Sequence, residues 1–414
     1  MDNLAAPVQA VYPLSAARSR DLEAIARHIG ADPRSLRYFQ PKRRVRHLYA
    51  PRVDYRAAAF VKQELLARGG DAIVARHVID GRTELSDILM MGTDGQLAAL
   101  LQKLRSMDCW GLKSLRTALA ESLQNDDVVE WTLPLPGGRT LTLNRTTRIM
   151  GILNLTPDSF HAPSRVADET ELLRRAEAML SAGADILDLG AESTRPGSAP
   201  TPESEELERL LPRLSAIRRA FPEAVLSVDT YKGNVASAAA DAGADIINDV
   251  GGFGLDGSML SCAARTGLPY VLSHIQGTPA TMQDSPSYDD LLTEIQLYFQ
   301  EKMREAELAG MSRDRIILDP GLGFGKRGED NLLILKELES FRSLGRPILI
   351  GHSRKGFTGV VTRAADAAGR LQGTTAISAL LEGRAQILRV HDVERNHQAM
   401  LMARAIREVA PWRS

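Results

Sequence analysis

IMGILNLTPDSF, residues 149–160, is the stretch from which the rest of the chain is read. Four apolar residues and a glycine run straight into Asn154. A Thr-Pro-Asp-Ser-Phe segment then stops any strand, because Pro157 has no N–H and fixes its own φ. A buried strand that ends on a polar residue and opens into a loop is how the mouth of an α/β enzyme is built. Taken alone it is also how an ordinary core strand ends. The residues carboxyl-terminal to Phe160 decide between the two.

From Ile149 onward strand and helix patterns alternate. Strands are expected at Ile149–Leu153, Asp185–Leu189, Val225–Val228, Asp245–Ile247, Pro269–Leu272, Ile316–Leu318, Pro347–Ile350 and Gln386–Val390. Helices are expected near 169–182, 203–220, 233–242, 257–266, 288–309, 330–341, 370–382 and 393–407. Eight of each in about 260 residues is the size and alternation of a (β/α)8 TIM barrel. A doubly wound open sheet is the alternative. The tetrapeptide AGAD recurs at 182–185 and 242–245, each time between a helix and a strand, which supports a repeated βα unit.

At 414 residues the chain is long for one domain. Residues 1–125 read as a small α/β domain to which no chemistry is assigned. Its expected helices are Arg18–Ile29, Tyr55–Arg68, Gln96–Met107 and Leu112–Leu123, and its expected strands Arg46–Leu48, Ala72–Ile79 and Asp87–Met91. Its basic run (Lys42, Arg43, Arg44, Arg46) reads as a solvated face. Residues 126–147 read as a linker with a β-hairpin, Trp131–Leu135 and Arg139–Leu143 around Pro136-Gly137-Gly138. Such a hairpin could plug the bottom of a barrel that occupies 148–414.

Composition excludes several classes. A net charge of −1 gives no field for nucleic acid or an anionic membrane. Aromatic residues make up only 5%, too few for a base-stacking platform. Cys109 and Cys262 stand apart and in no ligand motif, so neither a disulfide framework nor a zinc site is expected, and a cytoplasmic setting fits. No stretch reads as a membrane span, and the amino terminus does not read as a signal peptide.

All eight strand ends of such a barrel face one mouth. Here they carry Asn154; Glu192 to Gly197; Asp229-Thr230; Asn248-Asp249; Ser273-His274; Asp319-Pro320; Gly351 to Lys355; and Arg389 with His391. One polar residue at one strand end is a helix cap or a satisfied core group. A mixture of carboxylates, amides and cations at all eight points to a ligand. Ionised aspartates are pure acceptors, so two of them with an asparagine suit a flat heterocycle rich in N–H donors. Arg389, His391 and Asn154 lie on strands that adjoin when the barrel closes, and suit a phosphate or a magnesium-bound pyrophosphate. Gly321, Gly323 and Gly325 in DPGLGFGK let the backbone approach a ligand closely. The spacing is neither that of a Rossmann fingerprint nor of a Walker loop.

From about residue 140 to the carboxyl terminus the chain resembles dihydropteroate synthase, a family of pterin-binding barrels. The motifs that carry the resemblance, in the family's order, are MGILNLTPDSF (150–160), ESTRPG (192–197), SVDT (227–230), IIND (246–249), HIQGTPATMQ (274–283), LDPGLGFGK (318–326), SRK (353–355) and RVHDV (389–393). The first 125 residues resemble the extra domain of some longer bacterial forms. The resemblance implies that 6-hydroxymethyl-7,8-dihydropterin pyrophosphate and p-aminobenzoate are joined to give 7,8-dihydropteroate and pyrophosphate, a folate-pathway step and a sulfonamide target. It implies that Asp229, Asn248, Asp319 and Lys355 bind the pterin edge, with Arg389 also on the pterin face. Asn154 would coordinate Mg2+, and Asn154, Arg389 and His391 would hold the pyrophosphate. Thr194, Arg195 and Pro196 would belong to a loop over the site, and with Phe160, Phe324, Ser353 and Lys355 would receive p-aminobenzoate. Catalytic roles fall to Asp229, Asp319, Lys355 and Arg195. A homodimer is expected by the same resemblance.

The chain departs from the family pattern at several points. After TPDSF the family continues Ser-Asp-Gly-Gly, whereas this chain has His161-Ala162-Pro163-Ser164. His352 and Ser273 stand where methionine is common, and Tyr231 stands where the residue is small. Two other readings use the same fold. A pterin-binding corrinoid methyltransferase shares the barrel and an acidic pterin pocket, but it needs no STRPG loop, SRK or RVHD. A non-catalytic pterin-binding paralogue would keep pterin affinity without turnover.

Overall fold

The computed structural model describes residues 14, 21–155, 165–192 and 200–409. The chain forms two compact units, one running to Glu121 and including Val409, the other spanning Ser122–Glu408.

The first unit is a three-stranded antiparallel sheet, β1 (Val45–Asp54), β2 (Asp71–Val74) and β3 (Leu85–Thr93), with β3 in the middle. Its helices are α1 (Leu22–Ile29), α2 (Leu36–Phe39), α3 (Tyr55–Leu66) and α4 (Asp94–Leu104); α5 (Leu112–Asp126) comes next. Helix α3 buries Ala57, Ala58, Val61 and Leu65, one helical stripe, and packs on β2 and β3. Strand β1 is longer than the expected Arg46–Leu48. Its register shifts between Ala50 and Val53, leaving Pro51 and Arg52 out of the ladder, so a residue with no N–H is tolerated inside it. The expected strand at Ala72–Ile79 ends instead at Val74. The Ser86 hydroxyl accepts the Ala75 N–H at 2.9 Å, and a 3-10 turn is formed by Arg76–Val78.

The second unit contains the hairpin β4 (Trp131–Pro134) and β5 (Thr140–Leu143) and eight parallel strands. These are β6 (Arg148–Asn154), β7 (Ile186–Gly190), β8 (Val225–Asp229), β9 (Ile246–Asp249), β10 (Tyr270–Ser273), β11 (Ile316–Asp319), β12 (Leu349–Ile350) and β13 (Ile387–Val390). Strands β6 to β11 pair in chain order, and β13 joins β12 to β6. A parallel bridge between Leu318 and Ile348 closes the ring. The sheet is therefore a barrel and not an open doubly wound sheet. Strand β12 is only two residues long because Pro347 has no N–H; its carbonyl still accepts from Leu318 at 2.9 Å. Outside the barrel lie α6 (Arg165–Ser181), α7 (Glu203–Ala220), α8 (Gly233–Asp241), α9 (Met259–Thr266), α10 (Leu291–Leu308), α11 (Gly328–Lys336), α12 (Gly356–Thr362), α13 (Leu371–Leu381) and α14 (Val393–Glu408). Short α12 is not among the expected helices, because glycine-rich GFTGVVT shows no helical stripe.

The AGAD repeat has a physical reason. In each copy the aspartate immediately precedes a strand and its carboxylate accepts from the strand before that one. Asp185 takes the Ile149 N–H at 2.8 Å, and Asp245 takes the Leu226 N–H at 2.9 Å. Strand ends that would otherwise fray are pinned in register.

Alternation along the strands sorts side chains into two sets. Ile149, Leu153, Leu187, Leu226, Leu272 and Leu388 face the helices. Met150, Ile186, Ile246, Val271, Ile317, Leu349 and Ile387 face inward as one apolar layer at the amino-terminal end. The hairpin seats Leu133, Leu135, Leu141 and Leu143 on that layer. Trp131 Nε1 donates to the Gly345 carbonyl at 2.9 Å, and Arg139 forms an ion pair with buried Asp245. Leu133→Ala should therefore lower the barrel's unfolding free energy by about 2–5 kcal/mol. Denaturant unfolding followed by Trp fluorescence checks this; an unmoved midpoint would mean that the hairpin does not seal the core.

Candidate active site

One step above the apolar layer the inward-facing residues turn polar. Asp188 on β7, Asn248 on β9 and Arg389 on β13 point to the barrel axis and are almost wholly buried or half-buried. Arg389 Nε donates to Asp188 at 2.6 Å, and its terminal nitrogen donates to Asp229 at 2.6 Å. Asn248 Nδ2 lies 3.2 Å from the Asp188 carboxylate. One guanidinium thus spans two carboxylates on adjacent strands. Burial pushes the Asp229 carboxyl up to about 7, the Arg389 charge pulls it down, and the neighbouring Asp188 adds to the rise. The Asp319 carboxyl is also raised by burial, against the pull of Lys355. Burial pushes the Lys355 ammonium down to about 8, with Asp319 opposing.

Asp188 is absent from the residues picked out in the sequence. In ILDLG it sits in mid-strand between leucines and reads as core. Its inward phase, two residues after Ile186 and two before Gly190, is the available signal. The reverse holds at β9. Both Asn248 and Asp249 are polar, but Asp249 faces away from the axis and accepts from Gly251 N at 2.6 Å and Phe253 N at 3.0 Å. Asp249 holds a turn, and Asn248 alone belongs to the site.

The glycines of DPGLGFGK serve the neighbouring loop more than a ligand. A Cβ on Gly321 (φ 69°) would collide with the His274 carbonyl oxygen, and one on Gly325 (φ 64°) would lie 2.5 Å from the Gln276 carbonyl oxygen. Only glycine lets the two loops pack this closely. Gly323 alone turns toward the site, with Lys355 Cδ 3.2 Å from its Cβ position. Lys326 fastens the arrangement: its buried ammonium sits 2.9 Å from His274 Nδ1 and donates to the Phe324 carbonyl at 3.0 Å. Lys355 donates to the Leu322 carbonyl and lies 4.3 Å above the Phe324 ring.

Ser353, expected with Phe324, is engaged with His391. Its Oγ accepts the His391 backbone N–H at 3.2 Å and lies 3.0 Å from His391 Nδ1. Asn154 ends β6, beside β13, so it neighbours the Arg389 and His391 strand. Tyr231 donates to Glu192 at 3.0 Å, and Lys232 bridges Glu192 and buried Glu206 at 2.6 Å each. Phe160, Thr194, Arg195 and Pro196 lie outside the described residues.

Among the described residues no group of three or more His, Cys, Asp or Glu could hold a metal ion. Asn154 offers one amide oxygen at the end of β6, next to the β13 strand. Mg2+ keeps most of its ligands as water and phosphate oxygens, so one such oxygen would suffice for an ion brought in with a pyrophosphate.

The charge coupling at the axis is testable. Removing the Asp188 charge takes a negative neighbour from Asp229 and frees Arg389 to pair with it alone. Both effects favour the ionised carboxylate. The Asp229 titration in Asp188→Asn should therefore move down from about 7, read by carboxyl 13C NMR. An unmoved titration would uncouple the two groups.

Comparison with known proteins places the chain in a family. A family model described as "Pterin binding enzyme" matches residues 150–391. The dihydropteroate synthase of Escherichia coli is 42% identical over 270 residues, covering 65% of this chain and 94% of that protein. A probable bifunctional folylpolyglutamate synthase/dihydropteroate synthase of Haloferax volcanii is 37% identical over 376 residues. That match takes in 89% of this chain but only 44% of the relative's length. Among solved structures, the Yersinia pestis dihydropteroate synthase in a sulfonamide drug complex superposes with a TM-score of 0.62 at 40% identity, over 67% of this chain and all of that one. The Xanthomonas albilineans dihydropteroate synthase with 4-aminobenzoic acid gives 0.61 at 38% identity, over 67% of this chain and all of that one. The chain belongs to the dihydropteroate synthase family of pterin-binding enzymes.

Proposed function

We propose that the barrel joins 6-hydroxymethyl-7,8-dihydropterin pyrophosphate to p-aminobenzoate, releasing 7,8-dihydropteroate and pyrophosphate. It is a transferase of folate biosynthesis. The observation that carries this reading is the polar layer at the axis, where Asp188 is joined to Arg389 and Asn248, Arg389 to Asp229, and Asp319 and Lys355 act on each other and on Arg389. The ionised carboxylates offer acceptors to the N–H edge of a pterin, and Lys355 and Asn248 offer donors to its oxygen and ring nitrogens. Arg389 has a planar face suited to lie along the pterin ring.

In the reaction the bond between the pterin methylene and the pyrophosphate oxygen breaks, and the electron pair leaves with pyrophosphate. The dihydropterin ring delocalises the resulting positive charge. The amine of p-aminobenzoate then forms the new C–N bond and loses a proton. Asp229 and Asp319 stabilise the developing charge from fixed positions in a pocket of low polarity. Arg389 and His391 hold the departing pyrophosphate, with Ser353 fixing the orientation of His391. Mg2+, held by Asn154 and the pyrophosphate itself, would neutralise charge on the leaving group. Phe324, beneath Lys355, supplies a ring face for the second substrate. Catalytic Arg195, with Thr194, Pro196 and Phe160, completes that pocket by family resemblance.

We further propose a cytoplasmic homodimer. Among the described residues no helix is long and apolar enough to cross a membrane. Leu380 on α13 and Leu401, Met402 and Ile406 on α14 are exposed apolar side chains that a second copy would cover.

Purified protein given Mg2+ and both substrates should release pyrophosphate, and a sulfonamide should compete with p-aminobenzoate. Pterin binding without pyrophosphate release would favour the non-catalytic reading. Asp229→Asn should keep its near-ultraviolet circular dichroism while losing pterin affinity by about tenfold or more, as one charge-assisted hydrogen bond is worth about 1.5–3 kcal/mol. Unchanged affinity would remove Asp229 from the pterin edge.

A further inference from the structure

Ser353 and Lys355 flank a residue with an unusual backbone. Arg354 has φ 56°, the left-handed region that a residue with a Cβ enters only at a penalty. Four contacts hold it there. Its N–H donates to Thr374 Oγ1 at 3.0 Å, and its carbonyl accepts from Arg370 at 3.1 Å. Its guanidinium grips Asp392 with two nitrogens, at 2.9 and 2.7 Å. Thr374 is fully buried and is itself tied to the Arg370 carbonyl at 2.9 Å.

A buried relay stands behind Asp392. His352 Nε2 lies 2.9 Å from Ser378 Oγ, which donates to Asn396 Oδ1 at 2.7 Å. Asn396 Nδ2 then donates to the Asp392 carbonyl at 2.7 Å. His352, Ser378 and Asn396 have no exposed surface, and burial pushes the imidazole down to about 4, so it works as a neutral strut. The relay runs from the residue before Ser353, through α13 and α14, to the residue after His391. The Arg354–Asp392 pair is itself partly exposed, and such pairs contribute little to stability. Its bidentate geometry and its place between two site residues point to a directional task.

We propose that Arg354 is a positioning residue for the synthase reaction, locked by Asp392, Thr374 and Arg370 in a left-handed backbone that aims Ser353 at His391 and Lys355 at Phe324. An extended or right-handed Arg354 would rotate its two neighbours relative to each other, and one of them would leave the site. Strain kept at a functional position by surrounding contacts is a recurrent device. The proposal rests on the dihydropteroate synthase reading.

Comparing alanine with glycine at this position separates backbone from side chain. Both substitutions remove the guanidinium. Alanine then relaxes out of the left-handed region, whereas glycine enters it freely. Arg354→Ala should lose about tenfold or more in kcat/KM, the scale of a misplaced catalytic group. It should also bind pterin pyrophosphate more weakly by calorimetry, since Lys355 is on the pterin edge. Arg354→Gly should recover most of both. Equal losses in the two variants, or no loss in Arg354→Ala, overturn the proposal. Should Arg354→Ala fail to fold by near-ultraviolet circular dichroism, Arg354→Gly is compared with the double variant Arg354→Gly/Asp392→Ala. The two should match, because Asp392 acts through Arg354; a further loss in the double variant overturns the idea. A wild-type chain that binds pterin pyrophosphate but never turns over would refute the synthase reading. The alanine–glycine order in calorimetric binding would still decide the positioning role.

Discussion

A guanidinium held at the axis of a closed barrel has to be neutralised where it stands, because the penalty for carrying it out of water is several kcal/mol. Arg389 is neutralised by Asp188 and Asp229, which come from two adjacent strands across the mouth. The identity of neighbouring residues derives from this constraint. Asn248 can approach Asp188 only as a donor, and Lys355 supplies the second positive charge that Asp319 requires. Pairing of this kind is poor at adding stability and good at fixing direction. Asp188 is held by two protein donors, whereas Asp229 has one oxygen on Arg389 and Asp319 one on the Gly321 N–H, and the second oxygen of each is an acceptor suited to an N–H group.

The same logic explains the tight loops above the axis. The Lys326 ammonium is surrounded by a histidine nitrogen and two carbonyl oxygens, not by a carboxylate of its own. Burial pushes it down to about 7, with Asp319 the main opposing influence. Gly321 and Gly325 bring the backbone close enough for this contact. The loop after β11 is thereby stitched to the loop after β10, and Phe324 is presented from a stiff platform. Preorganisation of this sort removes the reorganisation that a polar solvent would otherwise require during charge separation.

Much of this is legible in the residues. The eight strands and the barrel come from short apolar runs alternating with helical segments, the hairpin from two such runs around Pro136-Gly137-Gly138, and Asn154, Asp229 and Asp319 from their position as the last residue of a strand. Whatever depends on phase, or on partners far away in sequence, escapes such a reading. Asp188 looks like core because it sits between leucines, and only its inward phase distinguishes it. Asp249 looks like a site residue because it ends a strand, yet the opposite phase commits it to the turn at Gly251 and Phe253. Nothing local in Ser-Arg-Lys announces a left-handed Arg354, because the groups that impose it come from α13 and from the residue after His391. The role of Tyr231 beside Glu192 is likewise a contact between loops of different strands.

The plug has a bearing on how the chain is made. Residues 131–143 leave the ribosome before any barrel strand, and they carry four leucines with nothing yet to cover them. A lone two-stranded hairpin is at best marginally stable in water. The layer that receives it is assembled from strands β6 to β13, and the ring closes between Leu318 and Ile348 only when nearly the whole chain exists. The plug is therefore made ahead of the barrel it closes and is among the last elements to find its seat. During translation the apolar hairpin is a cargo awaiting its container.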